Sequence, residues 1–154
     1  MFRIVPADLD DPQVRDLLTR HAERARAETG RGSAHALDVD GLKAPQIAVF
    51  ALYDGEGLAG AGALKALSQD HGELKAMYVA ERRRRSGAGS ALVAHLVDEA
   101  RRRGMARVSL ETGSWPYFEP ARALYAKHSF VECGPFEGYS EDPNSVFMTR
   151  RDLR

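Results

Sequence analysis

The chain is short of several things that would commit a sequence early. It has one cysteine, Cys133, in 154 residues, which excludes an internal disulfide and a zinc site built on cysteine pairs. A reducing, cytoplasmic setting is the expectation that follows. Basic and acidic residues number 22 each, so the formal net charge is zero, and bulk charge gives no drive toward nucleic acid or an anionic membrane. No apolar run approaches the roughly 18 residues of a spanning helix. Met1-Phe-Arg-Ile-Val-Pro6 lacks the apolar stretch and cleavage site of a signal peptide. The histidines, at 21, 35, 71, 95 and 128, show no ligand spacing such as HExxH, so no metal is expected. No GxxxxGK[ST] loop occurs. Gly55-Glu-Gly57-Leu-Ala-Gly60 is followed by a strand-like Ala61–Leu67, where a dinucleotide fingerprint must open a helix.

What is present fits one small α/β domain spanning residues 1–154. Apolar residues make up 44% of the chain, enough for a core that buries roughly 70% of the unfolded surface. Phe2–Pro6 reads as a strand. Pro12–Glu28 reads as a helix with Val14, Leu17, Leu18, His21, Ala22 and Ala25 on one face. Arg31 to Pro45 is polar and irregular, as functional loops are. Gln46–Tyr53 and Leu58–Leu67 are strands joined by Asp54-Gly-Glu-Gly57, a hairpin signal, and Gly72–Val79 completes a meander. A helix over Gly87–Arg103, a strand over Arg107–Thr112 and a helix over Pro120–His128 follow. Phe130–Cys133 and Ser145–Arg150 are the last strands. No linker, repeat or low-complexity tract marks a boundary.

The densest chemistry lies in Glu73-Leu-Lys-Ala-Met-Tyr-Val79 followed by Arg84-Arg85-Ser86-Gly87-Ala88-Gly89-Ser90. A strand leads through a turn with two glycines into a helix carrying Leu92, Val93, Leu96, Val97 and Ala100. The first N–H groups of a helix have no internal partner, and its dipole favours an anion there. Glycines let the backbone come close to a phosphate. The arrangement reads as a pyrophosphate cradle. Arg82–Arg85 supplies cations at its mouth, whereas Arg101–Arg103 closes a helix, where cations suit the dipole.

Strand, helix, meander, glycine turn and helix in this order resemble the GNAT superfamily of acetyl-coenzyme A-dependent N-acetyltransferases. Arg84, Gly87 and Gly89 fill its Gln/Arg-x-x-Gly-x-Gly/Ala signature, and Ala123-Leu-Tyr-Ala-Lys-His-Ser-Phe130 looks like its Leu-Tyr-x-x-x-Gly-Phe segment. The resemblance implies a mostly antiparallel, centrally splayed sheet flanked by helices, with acetyl-coenzyme A in the splay and no metal. It implies that Met77, Tyr78 and Val79 offer main-chain groups to the pantetheine arm. Arg84, Arg85, Gly87, Ala88, Gly89 and Ser90 would hold the phosphates. An N–H near Val79 would steady the oxyanion. Tyr125 matches the tyrosine that protonates the departing thiolate, with a core tyrosine as the alternative. Glu73 sits where histone-type relatives place a general base. Taken as an even step along a strand, it faces the same side as Val79. The alternative is an exposed Glu73 paired with Lys65 or Lys75.

Two positions depart from the family pattern: Ser129 stands for the usual glycine and Phe118 for an asparagine. Ser33, His35 and Asp38, with Glu111 or Thr112, are the expected lining of the acceptor side, as in a bacterial branch labelled as small-molecule acetyltransferases. For His35 and Asp38, simple ordering of a loop is the alternative. Trp115, Tyr117 and Phe118 form an aromatic loop suited to a pocket wall, a helix anchor or a dimer contact. The expected reaction is acetyl transfer to a primary amine of a small molecule by direct attack in a ternary complex. A protein lysine or N-terminal acetyltransferase and a non-catalytic coenzyme A sensor are the alternatives. Homodimers are common among such relatives.

Overall fold

The computed structural model describes residues 2–28, 39–80, 84 and 86–153. Seven strands form one sheet in the order β1-β2-β3-β4-β5-β7-β6. They are β1 (Phe2–Pro6), β2 (Ile47–Asp54), β3 (Gly57–Ala66), β4 (His71–Val79), β5 (Arg107–Gly113), β6 (Val131–Cys133) and β7 (Ser145–Arg150). Among the described residues three α-helices accompany them: α1 (Pro12–Ala27), α2 (Ala88–Arg102) and α3 (Glu119–Lys127). Every neighbouring pair is antiparallel except β4 and β5, which are parallel. This is the expected mixed, mostly antiparallel sheet.

Local chemistry explains the elements. Asp11 caps α1 by accepting from the Gln13 N–H at 2.8 Å, and Pro12 starts the helix without losing a useful donor. The β2–β3 hairpin turns on Gly55 and Glu56, with Asp54 opposite Gly57 and Gly55 at φ 62°, a conformation that suits glycine.

The sheet separates two apolar layers. Val14, Leu17 and Leu18 of α1 pack with Val39, Leu42, Val49, Ala61 and Ala63 on one face. Val93, Leu96, Val97 and Ala100 of α2 and Tyr125 of α3 pack with Leu64, Leu74, Val108, Leu110 and Met148 on the other. Fully burying a leucine or valine contributes about 1.5–3 kcal/mol, so these two stripes fix which face each strand residue meets.

Candidate active site

The two parallel strands at the middle of the sheet part halfway along. β4 and β5 pair from His71↔Arg107 to Leu74↔Leu110, yet β4 runs on to Val79 and β5 to Gly113. Among the described residues, the main-chain groups of β4 that point toward β5 beyond Leu74 have no ladder partner there. Backbone donors and acceptors need partners, and an extended ligand carrying amides can supply them as an added strand would.

A bulge in β4 accompanies the parting. Ala63 pairs with Lys75 but Ala61 pairs with Tyr78, so Ala76 and Met77 together oppose Gly62. Ala76 takes a φ of 53°, and such an extra residue bends and twists its strand. The bulge corrects the even-step expectation for Glu73. Leu74, Met77 and Val79 pack on the α2 side, whereas Ala76 and Tyr78 pack toward α1. Alternation slips by one at Ala76, so Glu73 faces the α1 side and Val79 the other.

At the end of the wedge stands the helix start. Gly87, at φ 91°, caps α2 with no side-chain cap bond, so the first-turn amides of Ala88, Gly89 and Ser90 open outward. A Cβ on Gly89 would lie 3.0 Å from Leu124 and 3.7 Å from Val79. The bare backbone there is what lets α2, α3 and the end of β4 meet. Arg84 is exposed and donates from Nε to the Val79 carbonyl at 3.4 Å, with its guanidinium 5.7 Å from the Tyr78 ring. Its charge stands at the mouth of the wedge. Two surface grooves, one past Lys43 and Phe50 and one past Asp70 and Met105, both reach Arg103, at the far end of α2 from this cradle.

The α1 face of the wedge is acidic. Glu73 is 3% exposed. Tyr139 Oη donates to its Oε2 at 2.7 Å and Lys75 Nζ reaches the same oxygen at 3.2 Å. The pairing with Lys75, one of the two partners in the alternative reading, is present, although Glu73 is buried and not exposed. Glu111 lies one residue past the last β4–β5 pair and shares the Glu73 face by alternation from Ser109, which pairs with Glu73. Burial raises the Glu111 carboxyl to about 7, the Ser145 hydroxyl and Lys75 pull it back, and Glu73 and Asp142 push it up again. Thr112 takes the opposite face.

Tyr125 comes from the other layer. It is 6% exposed and its ring meets Phe130 edge-on at 6.0 Å. Burial, then the Glu111 charge, holds its phenol well above the usual tyrosine range. Ser129 accepts the glycine-like turn after α3 at φ 71°, which keeps Phe130 under Tyr125. Phe118, in the asparagine position, lays its ring on Gly113, where any Cβ would collide with it. Arg122 Nη1 donates to the Gly113 carbonyl at 2.6 Å, fixing the end of β5.

Of the expected site residues, Met77, Tyr78, Val79, Arg84, Gly87, Ala88, Gly89 and Ser90 line one strand–turn–helix, with Tyr125 on the adjoining helix. Glu73 and Glu111 come together on the α1 face. Ser33, His35, Asp38 and Arg85 lie outside the described residues. Sequence reasoning missed Tyr139 entirely. It sits in a Gly/Pro-containing stretch with no periodicity, and consecutive positive φ values at Glu137 (41°) and Gly138 (79°) present it.

The family model of the Acetyltransferase (GNAT) family matches residues 12–130. The chain belongs to this family. Uncharacterized N-acetyltransferase YsnE of Bacillus subtilis (strain 168) is 43% identical over 144 residues, covering 94% of this chain and 95% of its own. A crystal structure from Klebsiella pneumoniae subsp. pneumoniae superposes with a TM-score of 0.78 at 28% identity, over 98% of this chain and 97% of that one. An aminoglycoside 6'-N-acetyltransferase complexed with coenzyme A shares the fold, with a TM-score of 0.71 at 20% identity over 97% and 96% of the two chains. The wedge and glycine cradle of this GNAT acetyltransferase fit coenzyme A. The β4 groups without a ladder partner on β5 suit the pantetheine amides, and open α2 amides with Arg84 suit the phosphates.

Proposed function

We propose that this chain transfers an acetyl group from acetyl-coenzyme A to a primary amine of a small molecule, by direct attack in a ternary complex. Bound acetyl-coenzyme A supplies the activated acetyl thioester. The observation that carries the reading is the wedge, which joins a cradle for an anion on the α2 side to a carboxylate pair, one buried and one half-buried, on the α1 side.

Each residue then has a task. Met77, Tyr78 and Val79 orient the pantetheine arm through their main chain, while Gly87, Ala88, Gly89 and Ser90 bind phosphate oxygens through N–H groups. An acceptor ammonium must lose a proton before its nitrogen can attack. Glu111, poised at about 7, is matched to take that proton near neutral pH. Glu73, gripped by Tyr139 and Lys75, orients the acceptor beside it and replaces the base role suggested by its sequence position. Tyr125 keeps its proton at Oη, available to a departing thiolate.

A compact acceptor is favoured by the aromatic contacts among the described residues on the α1 side. The Arg24 guanidinium lies 4.9 Å over the Tyr117 ring, tying the end of α1 to the segment after β5. Tyr139 and Phe136 pack edge-on at 5.1 Å on the β6–β7 side. Bulky aromatic contacts on two sides of the acidic face suit a small amine better than an extended peptide.

Calorimetric titration with acetyl-coenzyme A, followed by thiol-release assays over amines, amino acids and a lysine peptide, tests the reading. Release with a small amine supports it. Release with the peptide alone moves the assignment to a protein acceptor, and binding without release across the panel moves it to a sensor.

A further inference from the structure

The first turn of α2 and the end of α3 are joined by a side-chain hydrogen bond that no family motif requires. Ser90 Oγ lies 2.7 Å from His128 Nε2. Ser90 is the third residue of α2, in the turn whose amides are open. His128 follows the last residue of α3 and is half-buried, and its carbonyl accepts from Arg150 Nη1 at 3.1 Å.

The two ways of sharing the proton differ in what Ser90 can offer a ligand. If His128 carries its proton on Nδ1, Nε2 accepts and the serine hydrogen points back into the protein. Only oxygen lone pairs then face the cradle, and they repel a phosphate. If Nε2 carries a proton, it donates to Oγ, and the serine hydrogen is free to point outward. An anion in the cradle therefore selects His128 as a donor.

Resting on the coenzyme A reading above, we propose that His128 is a positioning residue for the cofactor's phosphates, donating from Nε2 to Ser90 so that the Ser90 hydroxyl donates to a phosphate oxygen. In the free protein the imidazolium is disfavoured by burial first, then by Arg150 of β7 and Lys127 of α3. Ser90, on the α2 side, is neutral. A bound phosphate adds the opposite charge and favours the imidazolium. The bound value of His128 lies above the free value, so binding takes up a proton between them. The part of the affinity that comes from the imidazolium charge is complete below the free value and is lost as pH rises through the bound one.

Two measurements test this on the full chain. The His128 ring protons, followed by NMR over about pH 5 to 8, should titrate at higher pH with saturating coenzyme A than without it. In calorimetry over the same range, His128→Leu should bind coenzyme A about tenfold more weakly at low pH, the loss expected for a charge-assisted hydrogen bond. His128→Gln keeps an N–H donor without a titration, and should retain most of the affinity with a flatter profile. The cofactor's own phosphate titration is common to all three proteins and cancels in the comparison. An unmoved His128 titration, with His128→Leu matching wild type across the range, overturns the proposal while leaving the coenzyme A reading intact. No coenzyme A binding by the wild type overturns both.

Discussion

Replacing Glu111 by glutamine should stabilise the fold above neutral pH while disabling the reaction. Glu111 is raised from 4.5 to about 7 chiefly by burial. At about 1.4 kcal/mol per pH unit, that displacement corresponds to about 3 kcal/mol. Between those values the folded chain holds a proton that the unfolded chain releases, so wild-type stability falls as pH rises. The contribution is complete below 4.5 and is lost through about 7. Glutamine has the same shape and no titration. The Glu111→Gln variant should match wild type near pH 4.5 and exceed it by up to about 3 kcal/mol near pH 8. Urea unfolding followed by circular dichroism at several pH values reads this directly. The same variant should lose about a hundredfold in kcat/KM, and the wild-type profile should show an acidic limb near pH 7. Parallel stability curves for the two proteins would refute the buried, late-titrating carboxyl. An active variant with the wild-type limb would refute Glu111 as the proton acceptor.

Four further outcomes follow from the geometry. Tyr125→Phe removes the proton at Oη and should lower the rate of thiol release about a hundredfold, with acetyl-coenzyme A affinity unchanged by calorimetry. Tyr139→Phe strips the Glu73 carboxylate of its 2.7 Å donor and should cost about 1.5–3 kcal/mol in urea unfolding at neutral pH. Gly89→Val should weaken acetyl-coenzyme A binding about tenfold or more, because its side chain would press on Leu124 and Val79 and shift the first turn of α2; unchanged affinity would place the cradle elsewhere. Ala76→Gly should be neutral to within about 0.5 kcal/mol, since relief at φ 53° offsets the entropic penalty of glycine. A loss above about 1 kcal/mol, the usual penalty for glycine in a strand, would deny the bulge.

Features whose signals are local were legible. The 3.6-residue stripe of α1, the Asp54-Gly55 turn and the Gly87–Ser90 helix start stand where composition places them, with boundaries one or two residues away. Ser129, standing where the family pattern has glycine, takes a φ of 71°. Features that depend on pairing or on distant chain were not legible. Tyr139 meets Glu73 across 66 residues, with nothing in either segment to announce the other. The Glu111 titration depends on burial contributed by several elements. Ala76 resembles any strand alanine, and its bulge exists only in the register between β3 and β4, so parity counted along the sequence put Glu73 on the wrong face.

That register slip also solves an electrostatic conflict. Glu73, Glu111 and Asp142 place concentrated negative potential near the reacting region, and coenzyme A brings several more negative charges. Like charges within a few ångströms in a poorly solvated site repel by several kcal/mol. Without the bulge, Glu73 and Val79 would share a face, and the end of β4 that leads to the cradle would turn to the carboxylate side. With it, residues before Ala76 direct charge to the α1 side, and Met77 and Val79 turn to the α2 side, where the positive end of α2 and Arg84 receive an anion. The sheet stands between the two potentials, and in the proposed reaction the β4–β5 wedge is where an uncharged thioester and an amine would meet across it. On the proposed reading, an acceptor would be deprotonated by a carboxylate that does not weaken cofactor binding, an arrangement that neither strand provides while fully paired.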